Sequence, residues 1–303
     1  MTTKTKPLAI DKFELVSNQI AELLEQGIKP WERPWIGAAA PMNLVSGHKY
    51  QGQNPLLCGI SMLIQEHNQP YYVGMSQGKE LGWKLAKGSK STWIKFGGTV
   101  SKEVEKEDGS KGKEFYGTFK WHNVFNLACW DDSESDRKIS EFTSKIAPFV
   151  PKNTDTLIAD AERFVGMQET PITFGGDSAF YVPSVDKIML PEFHAFKNVE
   201  SYYATMLHEL GHSTGHQKRL NRDLSGSFGS ASYAKEELIA ELTAAFLCNE
   251  LEITPQLEHH ASYLGHWLDK LRNDKKYFFD AVALAKRASE FLMTKAGLVA
   301  VAV

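Results

Sequence analysis

Residues 205–220 of this 303-residue chain read TMLHELGHSTGHQKRL, and this stretch decides how the C-terminal half is interpreted. His208 and His212 are four residues apart, so on a helix their imidazoles share one face and can bind one ion. Glu209 follows the first histidine, where its carboxylate can take a proton from an activated water molecule. This is the H-E-x-x-H arrangement, in which the histidines bind zinc and the glutamate is the general base. The stretch predicts a catalytic metal site on a helix.

A third metal ligand has to come from another part of the chain. Catalytic zinc usually takes three protein ligands and keeps one position for water. His216 continues the four-residue spacing, but it lies two helical turns from His208, too far along the axis to reach the same ion. The longer pattern H-E-x-x-H-x-x-G-x-x-H also fails, because Lys218 occupies its last position and a protonated amine cannot be a ligand.

The acidic helix EELIAEL, residues 236–242, is the best source of that ligand. Glu237 and Glu241 share one face at a spacing of four, on a helix whose other residues are mainly apolar. Buried carboxylates are costly unless they are paired or bound to metal. We therefore predict Glu237 as the third ligand and Glu241 as the acceptor that orients a histidine N–H. Glu236 competes for the ligand role, and the alternative is that these acids decorate an exposed helix face.

The segment AFYVPSVDKIMLP, residues 179–191, is strand-like and lies shortly before His208. An extended peptide can pair with an edge strand in this position beside a metal site. Together with the two helices, it predicts a zincin-like metallopeptidase domain of helices with a small mixed sheet. Zinc is the expected cofactor, and two histidines with a carboxylate also accept manganese and other divalent ions.

Length and composition indicate two domains in an α+β protein. The chain is longer than the roughly 100–200 residues of one domain, and 42% hydrophobic with 23% charged residues is typical of a globular protein. The polar stretch 131–155 separates two halves that differ in motif content. We predict a mixed α/β N-terminal domain over 1–130, a linker over 131–155, and the metallopeptidase domain over 156–303.

Cysteine usage and the chain ends favour the cytoplasm. The three cysteines are widely spaced and form no C-x-x-C pair, which argues against a disulfide framework and a cysteine zinc site. The N-terminus has no apolar region of the kind that a secretory signal contains. The apolar tail AGLVAVAV is far shorter than the roughly 20 residues of a membrane helix. We expect a cytoplasmic protein that does not use a membrane.

The first 130 residues combine tryptophans with basic side chains. They contain 16 Lys and Arg against 12 Asp and Glu, although the whole chain has a net charge of −3. Flat rings stack on unpaired bases and cations follow phosphates, so this composition suits single-stranded nucleic acid. The alternative is that the tryptophans form a core and the lysines serve solubility. The candidate DNA-binding residues are Trp31, Arg33, Trp35, Tyr50, Trp83, Lys84, Lys87, Lys90, Trp93, Lys95, Lys120 and Trp121.

Several motifs, in this order along the chain, carry a family resemblance: KPWERPW (29–35), SGHKYQGQNPLLC (46–58), KGSKSTWIKF (87–96), GTFKWHNVFN (117–126) and HELGHSTGHQKRLNRD (208–223). In these motifs the sequence resembles the ArdC family of plasmid-borne antirestriction proteins. The likeness runs over nearly the whole chain. The N-terminal domain of that family is shared with TraC-type conjugative primases.

The resemblance implies a first domain that binds single-stranded DNA and a second that is a zincin-like metallopeptidase. It assigns His208 and His212 to the metal and Glu209 to catalysis. The implied function is protection of transferred plasmid or phage DNA from host restriction, with a host restriction or defence protein as peptide substrate. Two alternatives stay open: a DNA-binding scaffold whose metal site is structural or catalytically silent, and an N-terminal domain that recognises proteins.

Overall fold

A computed structural model of the chain describes residues 11–31, 40–105, 111–146, 153–227, 229–254 and 261–298. Residues 98–105, 111–117 and 261–262 are described by their backbone. The chain divides into two compact units. The helical unit combines Met1–Gly37 with Val150–Val303, and the sheet unit is Ala38–Phe149.

The described residues mix helices with small sheets, which confirms the predicted α+β class. The helices are α1 (Lys12–Glu25), α2 (Asn54–Gln65), α3 (Met75–Glu80), α4 (Ile139–Thr143), α5 (Thr154–Gly166), α6 (Val199–Ser213), α7 (Ala231–Leu251), α8 (Ala261–Asn273) and α9 (Tyr277–Lys295). The strands are β1 (Met42–Asn43), β2 (Tyr71–Gly74), β3 (Lys84–Leu85), β4 (Thr92–Glu105), β5 (Lys111–Asn126), β6 (Trp130–Asp131), β7 (Ile172–Phe174), β8 (Phe180–Val182) and β9 (Lys187–Leu190). None of the helices in these ranges is long and apolar enough to span a bilayer.

The sheet unit is built on four strands in the order β1-β2-β5-β4. Strand β1 runs parallel to β2, and the other two pairs are antiparallel. Their sequences are rich in aromatic and β-branched residues, which fit a pleated and half-buried surface. Strands β4 and β5 form a long hairpin that starts where Thr92 pairs with Val124 and ends where Glu105 pairs with Lys111. A second sheet pairs β3 with β6.

Helix α2 packs against one face of the hairpin. The Asn54 side chain brackets the backbone of β4, donating to Lys95 O at 2.8 Å and accepting from Lys95 N at 2.7 Å. Thr92 and Ile94 are buried on this face. Because successive side chains of a strand alternate, those of Trp93 and Lys95 point to the opposite face.

The helical unit is centred on α6 and α7, which pack against each other, with α9 packed on α7. Helix α7 is buried along most of its length, as expected for a helix with apolar residues on all sides. The core joins these helices to a three-stranded sheet in the order β7-β9-β8, so β8 is an edge strand. Both β8 and β9 contact α6. Core members include Ile188, Leu190, Tyr203, Leu207, Leu210, Leu247 and Leu251.

The unit boundaries differ from the predicted domain boundaries. The predicted N-terminal domain starts at the first residue, but Met1–Gly37 groups with the helical unit. The physical reason is that α1 packs on α8 and that the Phe13 ring lies edge-on to Phe279, with centroids 4.7 Å apart. The predicted linker, 131–155, contains α4 and the end of β6, and its described residues 131–146 belong to the sheet unit.

Candidate metal centre and nucleic-acid surface

Helix α6 presents His208 and His212 to the same point. Its N-terminus is capped by Asn198, whose side chain accepts a hydrogen bond from Ser201 N at 2.8 Å. The two histidines are one helical turn apart, with ring centroids separated by 4.7 Å and Nε2 atoms by 3.0 Å. Each imidazole can therefore offer its Nε2 atom as a ligand to the same metal ion.

Glu237 of α7 completes a cluster of three candidate ligands. Its carboxylate oxygens lie 3.5 Å from His208 Nε2 and 3.4 Å from His212 Nε2. One donor atom from each residue lies within 4.8 Å of the other two. Two imidazoles and one carboxylate at this spacing form a donor set that fits a divalent transition metal.

Gly211, inside the H-E-x-x-H motif, allows α6 to lie close to α7. A Cβ added there would lie 3.3 Å from Ala240 Cα and 3.2 Å from Thr243 Cβ. These distances are shorter than ordinary carbon–carbon contacts, so a side chain at this position would push the helices apart. The glycine thereby helps to set the distance between the histidines and Glu237.

Glu236 contacts the other ring nitrogen of His212. Its Oε1 lies 3.2 Å from His212 Nδ1. The Arg222 guanidinium donates to both carboxylate oxygens of Glu236, at 2.7 Å and 2.9 Å. Of the two adjacent glutamates, Glu237 faces the Nε2 atoms and Glu236 holds the histidine ring from behind. The spacing of residues in the sequence does not indicate that Arg222 contacts Glu236. The two side chains meet only in the folded chain.

Charges in the cluster shift the pKa values of its members in opposite directions. Burial alone would lower the pKa of His212, but hydrogen bonds to Glu236 and Glu237 outweigh it and raise the pKa to about 10. Burial alone would raise the pKa of Glu237, but the two histidines hold it below the usual range of a carboxyl. A metal ion binds the neutral imidazole, so metal binding competes with protonation of His212.

Glu209 lies in the wall of a cavity beside the cluster. The cavity has a volume of about 320 Å³ and is lined by His208, His212 and Glu237, by residues of β8, and by the first turns of α7. Glu209 is 6% exposed. The fold thus brings the predicted general base and the predicted ligands to one cavity.

Glu241 does not have the role that the sequence predicted. Its buried carboxylate accepts hydrogen bonds from Lys29 Nζ, at 2.9 Å and 3.2 Å, and from Trp31 Nε1 at 2.8 Å. The Trp31 ring lies edge-on to Trp267 and stacks on Phe278, with centroids 5.7 Å and 6.2 Å away. Two predictions are corrected. Glu241 accepts hydrogen bonds from the N-terminal segment rather than from a histidine. Trp31, at 5% exposure, is a core residue rather than a DNA contact.

His216 lies outside the three-residue cluster. Its Nδ1 is 3.6 Å from Asp186 Oδ2 and accepts a hydrogen bond from Lys218 N at 3.2 Å. Asp186 also accepts from Tyr181 OH at 2.8 Å and from Arg219 Nη1 at 3.1 Å. This network ties the turn between β8 and β9 to the end of α6, and so fixes the edge strand beside the cavity.

The other predicted DNA-binding residues fall into groups that differ in exposure. Trp83 and Tyr50 are 3% and 4% exposed, and Trp83 Nε1 donates to Arg137 O. These two rings are core residues, which corrects their assignment as base-stacking groups. Arg33 and Trp35 lie outside the described residues. Four of the predicted lysines are exposed: Lys84, Lys87, Lys90 and Lys120. Lys84 forms an ion pair with Glu134. Trp93, Lys95 and Trp121 are half-buried.

Lys95, Phe119 and Trp121 meet on the face of the β4–β5 hairpin opposite Ile94, and we call this set the aromatic hairpin face. Lys95 pairs across the hairpin with Trp121, and the next pair on that face includes Phe119. Lys95 Nζ lies 4.0 Å from the Phe119 ring centroid and 5.4 Å from that of Trp121. Phe119 is 47% exposed and is not among the predicted residues. Its two-residue spacing from Trp121 on a strand is the signal that identifies it.

Comparison with known proteins finds relatives of both halves. Residues 11–125 match the N-terminal domain of anti-restriction factor ArdC, and residues 159–284 match the zincin-like metallopeptidase family MPTase-PolyVal. The chain is 32% identical to the uncharacterized protein y4eC of Sinorhizobium fredii, over 96% of this chain and 94% of that protein. It is 33% identical to two DNA primases TraC of Escherichia coli over 92% of this chain, which spans 27% and 20% of their lengths.

Solved structures show the same fold over the length of the chain. The metal-free crystal structure of the antirestriction protein ArdC from plasmid R388 matches with a TM-score of 0.73 and 28% identity, over 96% of this chain and all of that one. Its Mn(II)-bound structure matches with a TM-score of 0.69 and 28% identity, over 95% and 98%. With both domains matched in order, and a relative of similar length at 32% identity, the chain belongs to the ArdC family of antirestriction proteins, in which an ArdC N-terminal domain precedes a zincin-like metallopeptidase domain.

Proposed function

We propose that the helical unit is a metal-dependent peptidase and that the sheet unit binds single-stranded DNA. The protein would then protect transferred plasmid or phage DNA from host restriction. The observation that supports the peptidase most strongly is the convergence of His208, His212 and Glu237 beside Glu209 in one cavity. This donor set suits zinc, which we propose as the ion, and also manganese, with which the related ArdC has been crystallised.

The chain's own residues supply the base and the positioning for peptide hydrolysis. When bound, the ion would polarise the scissile carbonyl and make water more acidic. Glu209 takes the proton of the attacking water and passes it to the leaving amine. Glu236, held by Arg222, fixes the His212 ring through Nδ1 and so keeps Nε2 toward Glu237.

Strand β8 offers a binding site for an extended peptide. It is one of the two outer strands of its sheet, and Phe180 and Tyr181 line the cavity. The unpaired backbone groups of an edge strand can pair with an added strand, and side-chain pockets then provide specificity. We propose that a host restriction or defence protein supplies this peptide.

The Glu209→Gln variant tests the peptidase. Protein loaded with zinc or manganese is incubated with casein and with quenched fluorescent peptides, and its metal content is measured by atomic emission. Wild type should cleave, Glu209→Gln should retain metal without turnover, and His208→Ala should lose metal. Equal turnover by wild type and Glu209→Gln would exclude this mechanism. No cleavage by metal-loaded wild type would favour the alternative, a DNA-binding scaffold with a silent or structural metal site.

The aromatic hairpin face supports the DNA-binding part of the proposal. Phe119 and Trp121 offer rings that accept any base, and Lys95 adds a positive charge between them. Rings that stack on bases require an unpaired strand, which favours single-stranded over duplex DNA. Incoming DNA meets restriction enzymes in the cytoplasm, and we propose that the protein acts there.

Titration of a fluorescent oligo(dT) strand and its duplex tests DNA binding. We expect preference for the single strand and affinity that falls steeply with salt, because phosphate contacts release counterions. No binding at low salt would favour the alternative in which the N-terminal domain recognises proteins. In a plasmid-transfer assay, full protection by His208→Ala would make the peptidase dispensable for antirestriction.

A further inference from the structure

An exposed phenylalanine lies on the side of the β4–β5 hairpin opposite the aromatic hairpin face. Phe96 follows Lys95 in β4, so the two side chains point to opposite sides of the strand. Helix α2 packs on the side of Phe96, where Thr92 and Ile94 are buried. Phe96 itself is 40% exposed. Its ring is therefore in contact with water, although burial of a phenylalanine side chain is favourable.

The Phe96 ring is surrounded by three other rings. Its centroid lies 5.3 Å from that of His122 and 5.9 Å from that of His48, and both histidines are exposed. The ring of the buried Tyr50 lies 6.4 Å from Phe96 and 6.1 Å from His48, so it supports both from the protein interior. Lys120 is exposed and pairs with Phe96 across the hairpin. We call Phe96, His48, His122 and Lys120 the second hairpin face.

The charge around the two hairpin faces is positive. Residues 46–50, 92–97 and 118–123 supply both faces, and together they contain three lysines but neither Asp nor Glu. Two of these lysines, Lys49 and Lys120, are exposed. Exposed rings among cations fit a polyanion that also carries flat groups, which is the chemistry of an unpaired nucleic acid strand.

Strand β4 lies between the two faces at the edge of its sheet. Among the described strands, β4 pairs with β5 alone. The neighbouring residues Lys95 and Phe96 belong to different faces, and their Cα atoms are only about 3.8 Å apart along the strand. A ligand that passes around the outer edge of β4 at this point therefore meets both faces.

We propose that a single strand of DNA crosses the outer edge of β4 and stacks bases on both hairpin faces, with Phe96 as the stacking residue of the second face. Phe119 and Trp121 hold bases on one side, and Phe96 holds a base on the other side. Lys120 contacts a phosphate beside Phe96. This inference rests on the proposed binding of single-stranded DNA by the sheet unit, and it defines the path of the strand.

Phe96→Leu in the full chain tests the second face, because leucine keeps an apolar side chain but removes the flat ring. Phe96→Tyr retains a ring. The matched control is Phe174→Leu, which changes a phenylalanine of similar exposure, 47%, in the helical unit. Fluorescence anisotropy measures the affinity for oligo(dT) of about 16 nucleotides, the upper end of the site sizes of a small binding domain. Titration at protein concentrations far above Kd gives the number of strands bound per protein, and urea unfolding checks that each variant folds.

We expect wild type to bind one strand per protein and Phe96→Leu to bind it about 5- to 150-fold less tightly. Phe96→Tyr and Phe174→Leu should bind like wild type. Trp121→Ala should also weaken binding of the same strand, because each face holds part of it. Lys120→Ala should reduce the dependence of log affinity on log salt by about one, since it removes a phosphate contact.

Wild-type affinity in Phe96→Leu would overturn the second face and leave DNA binding by the aromatic hairpin face in place. Two strands per protein would overturn the path across β4, because each face would then bind its own strand. If Phe96→Leu does not fold, Lys120→Ala decides, and an unchanged salt dependence refutes the proposal. If wild type binds no single-stranded DNA, the proposed DNA binding fails first and the second face fails with it.

Discussion

Lys29 and Glu241 form a buried ion pair, in which Nζ lies 2.9 Å from Oε1 and 3.2 Å from Oε2 and the side chains are 3% and 0% exposed. Trp31 Nε1 donates to the same carboxylate at 2.8 Å. Glu241 follows Glu237 by one helical turn. The N-terminal segment is therefore attached to the helix that carries the candidate metal ligand.

Lys29→Met is expected to destabilise the metal-free helical unit by about 3–5 kcal/mol, because the Glu241 carboxylate stays buried without a countercharge. Urea unfolding followed by circular dichroism measures the loss. The double variant Lys29→Met/Glu241→Met should regain only part of it, since apolar side chains of similar volume often replace a buried pair without cost but here leave the buried Trp31 N–H without its acceptor. A single variant as stable as wild type would show that the pair does not hold the segment.

Glu237→Gln is expected to lower metal affinity more than Glu236→Gln, because the first removes a ligand and the second removes a group that orients one. For Glu236→Gln, and for Arg222→Met, we expect a loss of about 10- to 100-fold. Competition with a fluorescent chelator measures the affinities. Glu250→Gln, an exposed position on the same helix, is the control and should not change them. The reverse order would assign the ligand role to Glu236.

Much of the candidate metal site could be predicted because it depends on the geometry of single helices. The spacing of His208 and His212, and the exclusion of His216, follow from the rise of a helix along its axis. The choice between Glu236 and Glu237 depends on how α7 is rotated against α6. That rotation is set by packing, which a single sequence does not report.

Fewer functional residues of the N-terminal domain could be predicted, because composition does not separate buried from exposed aromatic residues. A buried tryptophan ring needs a hydrogen-bond acceptor for its N–H. Trp31 and Trp83 are buried, and their N–H groups donate to acceptors inside the protein core. The partner of Glu241 is 212 residues away in the chain, beyond any local pattern. Strand register alone distinguishes the half-buried Trp121 from these rings and brings Phe119 beside it.

Protonation of Asp186 is expected to make the protein less stable as the pH falls from 3.8 toward about 2. Hydrogen bonding from Arg219, opposed by burial, lowers the pKa of Asp186 from 3.8 to about 2. A pKa that is lowered by folding contributes stability above the unfolded value, and this contribution is lost as pH falls through the folded value. Asp186→Asn should flatten this part of the stability curve, and asparagine also tolerates the φ of 51° at this position.

Thermal unfolding of wild type and Asp186→Asn between about pH 2 and pH 5 tests this. The variant should be less stable at the upper end, and the difference should shrink as pH falls. Asp177→Asn, at an exposed site in the same unit, should follow the wild-type curve. Parallel curves for wild type and Asp186→Asn would show that the contact with Arg219 does not contribute.

Variants of Trp121 and Trp31 are expected to differ from wild type in different properties, the first in DNA affinity and the second in stability. Trp121→Ala removes a half-buried ring from the aromatic hairpin face, and affinity for oligo(dT) should fall about 5- to 150-fold, since stacking contributes about 1–3 kcal/mol per base. Trp31→Phe keeps a ring but removes the N–H that binds Glu241, so stability should fall by about 1.5–3 kcal/mol with DNA affinity unchanged. Fluorescence anisotropy and urea unfolding, applied to both variants, measure the two quantities.

Salt dependence separates stacking from charge on the same hairpin face. Between about 50 and 200 mM salt, Trp121→Ala should lose affinity by the same factor as wild type, because a neutral ring releases no counterions. Lys95→Ala should instead reduce the salt slope by about one, because it removes a phosphate contact. If Trp121→Ala binds DNA like wild type and Trp31→Phe does not, the DNA site lies with the N-terminal segment and the aromatic hairpin face has another purpose.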